Sequence, residues 1–296
     1  HIMFKNFEIK KIAVPTDFSE TANVAIKHAV DIANHFGADI FLIHVLEIGA
    51  YQGIFSPSKK TEYDEKENAQ QKLQDDANKL EEKTGLNVSQ TVVSGRVYDE
   101  IVTAVTEAEA DLIVMGTHGT AGWEEFFVGS NAFRVVTQSP CPVLSVPENA
   151  LKSELNSIIL PIDQTFESRQ KVKHAAALAK KFGATIHIAT LLTDDEPEIR
   201  FDFEKKIKQV TKFLDREEIA HTESTLVGKN LATMTMNFAE SKGGNLIVMM
   251  TEQESNLTGF LMGPFAQQVV NHSKIPVLSV SSEELTDGGG SFHTLG

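Results

Sequence analysis

The sequence predicts an α/β protein made of two tandem doubly wound domains, each a five-stranded, mainly parallel sheet with helices on both faces. Three observations carry that prediction. Apolar strand-like runs alternate strictly with amphipathic helical runs, which implies parallel strands joined by right-handed crossovers. The pattern is also written twice. Ala13-Val-Pro-Thr-Asp17 recurs as Ile159-Leu-Pro-Ile-Asp163, Asp111-Leu-Ile-Val-Met115 as Asn245-Leu-Ile-Val-Met249, and Pro142-Val-Leu-Ser-Val146 unchanged as Pro276-Val-Leu-Ser-Val280. Such a period is far too long for a solenoid, and 296 residues suit two domains of about 150 each. The expected division is 3–147 and 157–281, joined by a connector at 147–156 and followed by a disordered tail at 282–296.

The elements of the first repeat follow in order. Ile9 to Pro15 is an apolar strand closed by Pro-Thr-Asp17. Ala22, Ala25, Ile26, Ala29, Val30 and Ala33 then recur at helical spacing, with Asp17 or Ser19 placed to cap the start and Gly37 the end. Ile40 to Val45 is continuously apolar, as a strand covered on both faces requires. A loop holding Tyr51, Phe55 and Pro57 leads into a charged helix from about Thr61 to Lys83, whose Asp64-Glu65, Asp75-Asp76 and Glu81-Glu82 read as a solvated face. A strand from Asn87 to Val93, a helix from Tyr98 to Ala108 and a strand from Leu112 to Met115 come next. A glycine-rich segment, a helix to about Thr137 and the strand Val143–Val146 complete the unit.

The glycine-rich segment carries the functional signal. From Gly116 the chain reads Gly-x2-Gly-x9-Gly-Ser, placing Gly116, Gly119, Gly129 and Ser130 between a strand and the helix that Asn131 begins. Glycines let backbone N–H groups approach and turn toward an anion. The Ser130 hydroxyl and the helix start add donors at the positive end of a helix dipole. Phosphate suits such a cradle, against the plainer reading of an empty surface loop. Ligands on sheets of this kind bind beyond the carboxyl ends of the strands, where the strand order reverses. Asp17 and Gly116 lie at such ends, and so does Val45. Asp17 can accept from ribose hydroxyls, or simply cap a helix; Val45 can offer backbone groups to a base edge, or simply fill the core.

On this motif and on both repeats, the chain resembles the nucleotide-binding universal stress proteins. The resemblance implies a Rossmann-like, adenine nucleotide hydrolase-like fold and an adenine nucleotide, ATP or AMP, with or without Mg2+. It places Pro15, Thr16 and Asp17 at the first strand end, Val45 at the base, and Met115, Gly116, His118, Gly119, Gly129, Ser130 and Asn131 around the phosphates. It implies a stress-response sensor or regulator rather than a fast enzyme. It also implies that Val143–Val146 and Val277–Val280 pair within the chain and hide two otherwise exposed sheet edges. A homodimer of such tandem chains is a further association it allows.

The second repeat departs from the motif. Met250 replaces Gly116, Gln253 replaces Gly119 and Pro264 replaces Ser130, leaving only Gly263 opposite Gly129. Side chains enter where backbone should approach phosphate, and Pro264 removes a hydroxyl and an N–H donor. Asp163 and Leu191 remain opposite Asp17 and Val45, so the adenosine end is nominally kept while the phosphate cradle is lost.

No catalytic residue is expected. The Gly-x4-Gly-Lys-Ser/Thr loop, a dinucleotide Gly-x-Gly-x-x-Gly and the Ser-Gly-Gly-x-Asp-Ser turn of ATP pyrophosphatases are absent, and His118 reads as a polar contact, so hydrolysis is at most slow. A nucleotide-independent interaction scaffold, with both sites vestigial, is the alternative. No metal site is expected either, because His28 and His35 stand two helical turns apart without a Cys/His cluster. Cys141, the one cysteine, reads as a packed small residue between Pro140 and Pro142. Trp123, Phe126 and Phe127, within the motif loop, read either as a cover for a bound nucleotide or as packing against the neighbouring domain, the latter slightly favoured. A net charge of −14 argues against nucleic acid as partner. No apolar run approaches the ~20 residues of a membrane span and no secretory leader is evident, so the expected location is cytoplasmic.

Overall fold

The computed structural model describes residues 6–47, 59–117, 130–165, 167–251 and 262–282. The first half runs β1 (Lys11–Pro15), α1 (Glu20–Phe36), β2 (Asp39–Glu47), α2 (Lys59–Thr84), β3 (Val88–Gly95), α3 (Val97–Glu107), β4 (Leu112–Gly116), α4 (Ser130–Gln138) and β5 (Val143–Val146). The second repeats it as β6 (Ser157–Ile162), a 3-10 turn (Glu167–Arg169), α5 (Val172–Phe182), β7 (Thr185–Leu192), α6 (Pro197–Arg216), β8 (His221–Val227), α7 (Leu231–Ser241), β9 (Leu246–Met250), α8 (Pro264–His272) and β10 (Val277–Val280). The expected first strand is shorter than its apolar run: Ile9 is buried but precedes β1. Of the two capping candidates for α1, Ser19 is the cap. Its Oγ accepts from the Ala22 N–H at 3.2 Å, and Gly37 closes the helix with φ +67°.

Within each half all strand pairs are parallel, in the orders β3-β2-β1-β4-β5 and β8-β7-β6-β9-β10. β5 and β10 pair antiparallel with Leu144 opposite Leu278, which joins the halves into one ten-stranded sheet. The Ser145 hydroxyl adds a bond to the Val277 carbonyl at 3.2 Å. Apolar layers cover both faces. Ile12, Val14, Leu42 and their counterparts in the second half pack under α1, α2, α5 and α6 on one face. Ala13, Ile43, Ile113 and theirs pack under α3, α4, α7 and α8 on the other. Each layer is continuous across the β5–β10 seam.

The segments leading into β1 and β6 cross between the halves. Phe7 lies against His174 of α5, with ring centroids 4.5 Å apart. In return the connector lies on α1: His28 Nε2–H donates to the Ala150 carbonyl at 2.7 Å, Lys27 Nζ to the Leu151 carbonyl at 2.7 Å, and Ser153 Oγ to Asp31. The helix ends meet with the same reciprocity. His35 stacks on Phe182 at 3.8 Å, and Lys181 lies over Phe36 at 5.6 Å. His28 and His35 thus both take part in the contact between the halves, His28 buried and His35 exposed.

Candidate functional site

The strand order reverses between β1 and β4, because the chain leaves β1 for β2 and β3 and then returns. A crevice at the carboxyl ends of β2, β1 and β4 follows from that topology. Pro15 ends β1, and the next N–H, from Thr16, donates to the Ile43 carbonyl of β2 at 2.8 Å. The Thr16 carbonyl accepts from His44 Nδ1–H at 2.7 Å, which fixes the proton on that nitrogen. Asp17 is exposed, with one carboxylate oxygen accepting the Ser19 N–H at 3.0 Å. Phe18 follows with φ +64°, a left-handed conformation that costs a non-glycine residue about 1–2 kcal/mol and bends the chain sharply into α1.

Val45 is half-buried near the end of β2, in register with Val93. Met115 and Gly116 end β4 on the other side of β1. A Cβ on Gly116 would lie 2.5 Å from Thr21 Cγ2 and 3.1 Å from the Thr21 carbonyl. The glycine therefore also serves close packing of α1 on β4. Thr117 N–H donates to the Val146 carbonyl at 3.2 Å. Ser130 opens α4, and Asn131 is half-buried in its first turn. The fold thus gathers Pro15, Thr16, Asp17, Val45, Met115 and Gly116 at one end of three neighbouring strands. His118, Gly119, Gly129 and the aromatic trio Trp123, Phe126 and Phe127 lie outside the described residues, as do Tyr51, Phe55, Pro57, Gln253 and the tail from 283.

Two side-chain groups border the crevice that the motif did not announce. Phe18 tilts against His44 with centroids 4.5 Å apart, and Lys72 of α2 stands over the Phe18 ring at 4.2 Å. On the opposite face, Arg96 and Arg134 bracket Tyr98 at the start of α3. Arg96 donates to the phenolic oxygen at 3.0 Å, and Arg134 of α4 lies over the ring at 4.6 Å. That hydrogen bond from Arg96 lowers the Tyr98 pKa. Their signals in the sequence are weak, since each group joins residues from different elements.

The second half is built differently at the same place. Asp163, opposite Asp17, is buried rather than exposed. Its backbone N–H donates to Ser168 Oγ at 3.0 Å, one carboxylate oxygen accepts from both the N–H and hydroxyl of Thr165, and Oδ2 is buried without a hydrogen bond. Lys171 is fully buried nearby, with Nζ 3.2 Å from Ser168 Oγ. Burial drags its ammonium down to about 7, against the attraction of Asp163. Met250 replaces Gly116 and is 1% exposed. A methionine there excludes a first helical turn packed as in α1, and α5 starts only at Val172, behind the 3-10 turn that packs on β6 and β9. The adenosine end of the second half, nominally kept in sequence, is therefore also changed: its carboxylate is turned inward.

Among the described residues no group of His, Cys, Asp and Glu could hold a metal ion, and no helix is long and apolar enough to cross a membrane. Burial pushes the Cys141 thiol up to about 11, leaving it protonated at neutral pH.

Comparison with known proteins agrees with this architecture. The model of the universal stress protein family matches residues 8–147 and again 154–281. Universal stress protein MJ0531 of Methanocaldococcus jannaschii is 37% identical over 139 residues, covering 46% of this chain and 81% of that protein. MJ0577 of the same organism is 32% identical over 152 residues, covering 46% and 94%. A universal stress protein structure from Archaeoglobus fulgidus aligns over 94% of this chain and 98% of its own, with a TM-score of 0.74 at 18% identity, a likeness of fold. The chain belongs to the universal stress protein family, as a tandem of two of its domains.

Proposed function

We propose that this universal stress protein binds one adenine nucleotide, ATP or AMP, in the crevice of its first half, and acts as a stress-response sensor or regulator with at most slow hydrolysis. The observation that carries the reading is the contrast between the halves. In the first, an exposed Asp17, the end of β2 and a side-chain-free Gly116 meet at the strand-order reversal beside the start of α4. In the second, the corresponding carboxylate is buried, Met250 fills the glycine position and Pro264 stands at the helix start. The glycine pattern through Gly119, Gly129 and Ser130 supplies the phosphate end, with Pro15, Thr16, Met115, His118 and Asn131 around it. Asp17 accepts from the ribose and Val45 meets the base edge. The domains divide at 3–147 and 157–281, and the second supports the first through the β5–β10 seam. Displacement of a fluorescent ATP analogue tests the reading. ATP and AMP should compete it off the intact protein, and Gly129→Val should abolish its binding. An intact, nucleotide-free protein that binds no analogue would favour an interaction scaffold instead.

A further inference from the structure

Resting on that nucleotide reading, we propose that Arg96 and Arg134, held on the two sides of Tyr98, read the charge of the phosphate chain and make the site prefer a nucleoside triphosphate over a monophosphate. Arg134 lies four residues after Ser130 on α4, hence on the same helix face about 6 Å along the axis. Helical side chains lean toward the N-terminus, and its guanidinium lies over the Tyr98 ring at the start of α3. Arg96 stands at the junction of β3 and α3, with its charge 5.8 Å from the same ring. Both arginines are exposed, while Tyr98 beneath them is 8% exposed.

Two like charges sharing one ring repel each other, and Asp99, 3.6 Å from Arg96 and itself exposed, partly offsets them. The Glu100 side chain lies against Gly95. Among the described residues, Tyr98 thus gathers two guanidiniums in a chain of net charge −14. Planar guanidiniums are suited to bidentate capture of terminal phosphate oxygens, and a polyphosphate tail relieves their repulsion.

The second half supports the assignment independently. α7 and α8 superpose on α3 and α4 by their ends, which sets Asn230, Ala232 and Gln268 at the places of Arg96, Tyr98 and Arg134. Both guanidiniums and the phenol are missing from the half whose cradle is filled. A groove of about 270 Å³ lies there instead, with Lys229 its one cation among the described residues.

Affinities of ATP and AMP for the full chain, measured by calorimetry, test the proposal. Arg96→Gln and Arg134→Gln should each weaken ATP about tenfold or more and leave AMP within about twofold, and Arg134→Lys should restore part of the loss. Lys229→Gln should change neither. Parallel weakening of ATP and AMP, or no change in ATP, would overturn it while leaving the nucleotide site standing. Wild-type protein that binds neither nucleotide would instead remove the reading on which it rests.

Discussion

Gly116 and Thr21 meet so closely that the glycine's missing Cβ defines how α1 sits on β4: a Cβ would come within 2.5 Å of the Thr21 methyl. Gly116→Ala should therefore destabilise the protein by about 1–3 kcal/mol, read as a shifted urea midpoint. Thr21→Ser, which deletes that methyl, should recover much of the loss. An unchanged midpoint for Gly116→Ala would mean that α1 moves aside at little cost.

Lys171 gives the second half a pH signature. Its folded-state pKa of about 7 lies well below the ordinary 10.5. The unfolded chain then holds a proton that the folded chain has released, so stability should rise with pH between about 7 and 10. Lys171→Met should flatten that slope in unfolding experiments. A slope equal in both proteins would place the buried amine elsewhere in its titration.

His28 acts in the acid range with the same sign. Burial lowers its pKa from 6.5, although its bond to Ala150 pulls the other way. Its contribution is intact above pH 6.5 and is lost as pH falls below it, because the unfolded state takes up the proton first. His28→Gln retains an N–H donor for the connector and should lose less stability between pH 6.5 and 5 than the wild type.

His35 and Phe182 couple the two halves by stacking at 3.8 Å. A double-mutant cycle with alanine at both positions should return an interaction of about 0.5–1.5 kcal/mol. A value near zero would assign the contact to shape filling alone.

Much of this was legible in the chain. The apolar run Ile40–Ile43 announced a strand covered on both faces, Gly37 marked the end of α1, and the twofold writing of Pro-Val-Leu-Ser-Val announced the duplication. The candidate site was legible as far as neighbouring residues define it: Pro15-Thr-Asp17 at the end of β1 and Met115-Gly116 at the end of β4. What escaped depends on partners distant in sequence. Asp163 looks equivalent to Asp17, yet it is buried in the half where Met250 excludes an α1-type helix start. The part His28 plays in joining the halves escaped because its acceptor, Ala150, is 122 residues away. The arginines flanking Tyr98 come from two elements that meet only when α3 packs on α4.

The central claim is that one half of this tandem binds nucleotide and the other does not. Calorimetric titration of ATP–Mg2+ into the nucleotide-free full chain measures this most directly, through the number of sites per chain. One site per chain is expected, lost in Gly129→Val and retained in Met250→Ala. Two sites per chain would contradict it, by showing that the second half accommodates the nucleotide despite Met250 and Pro264.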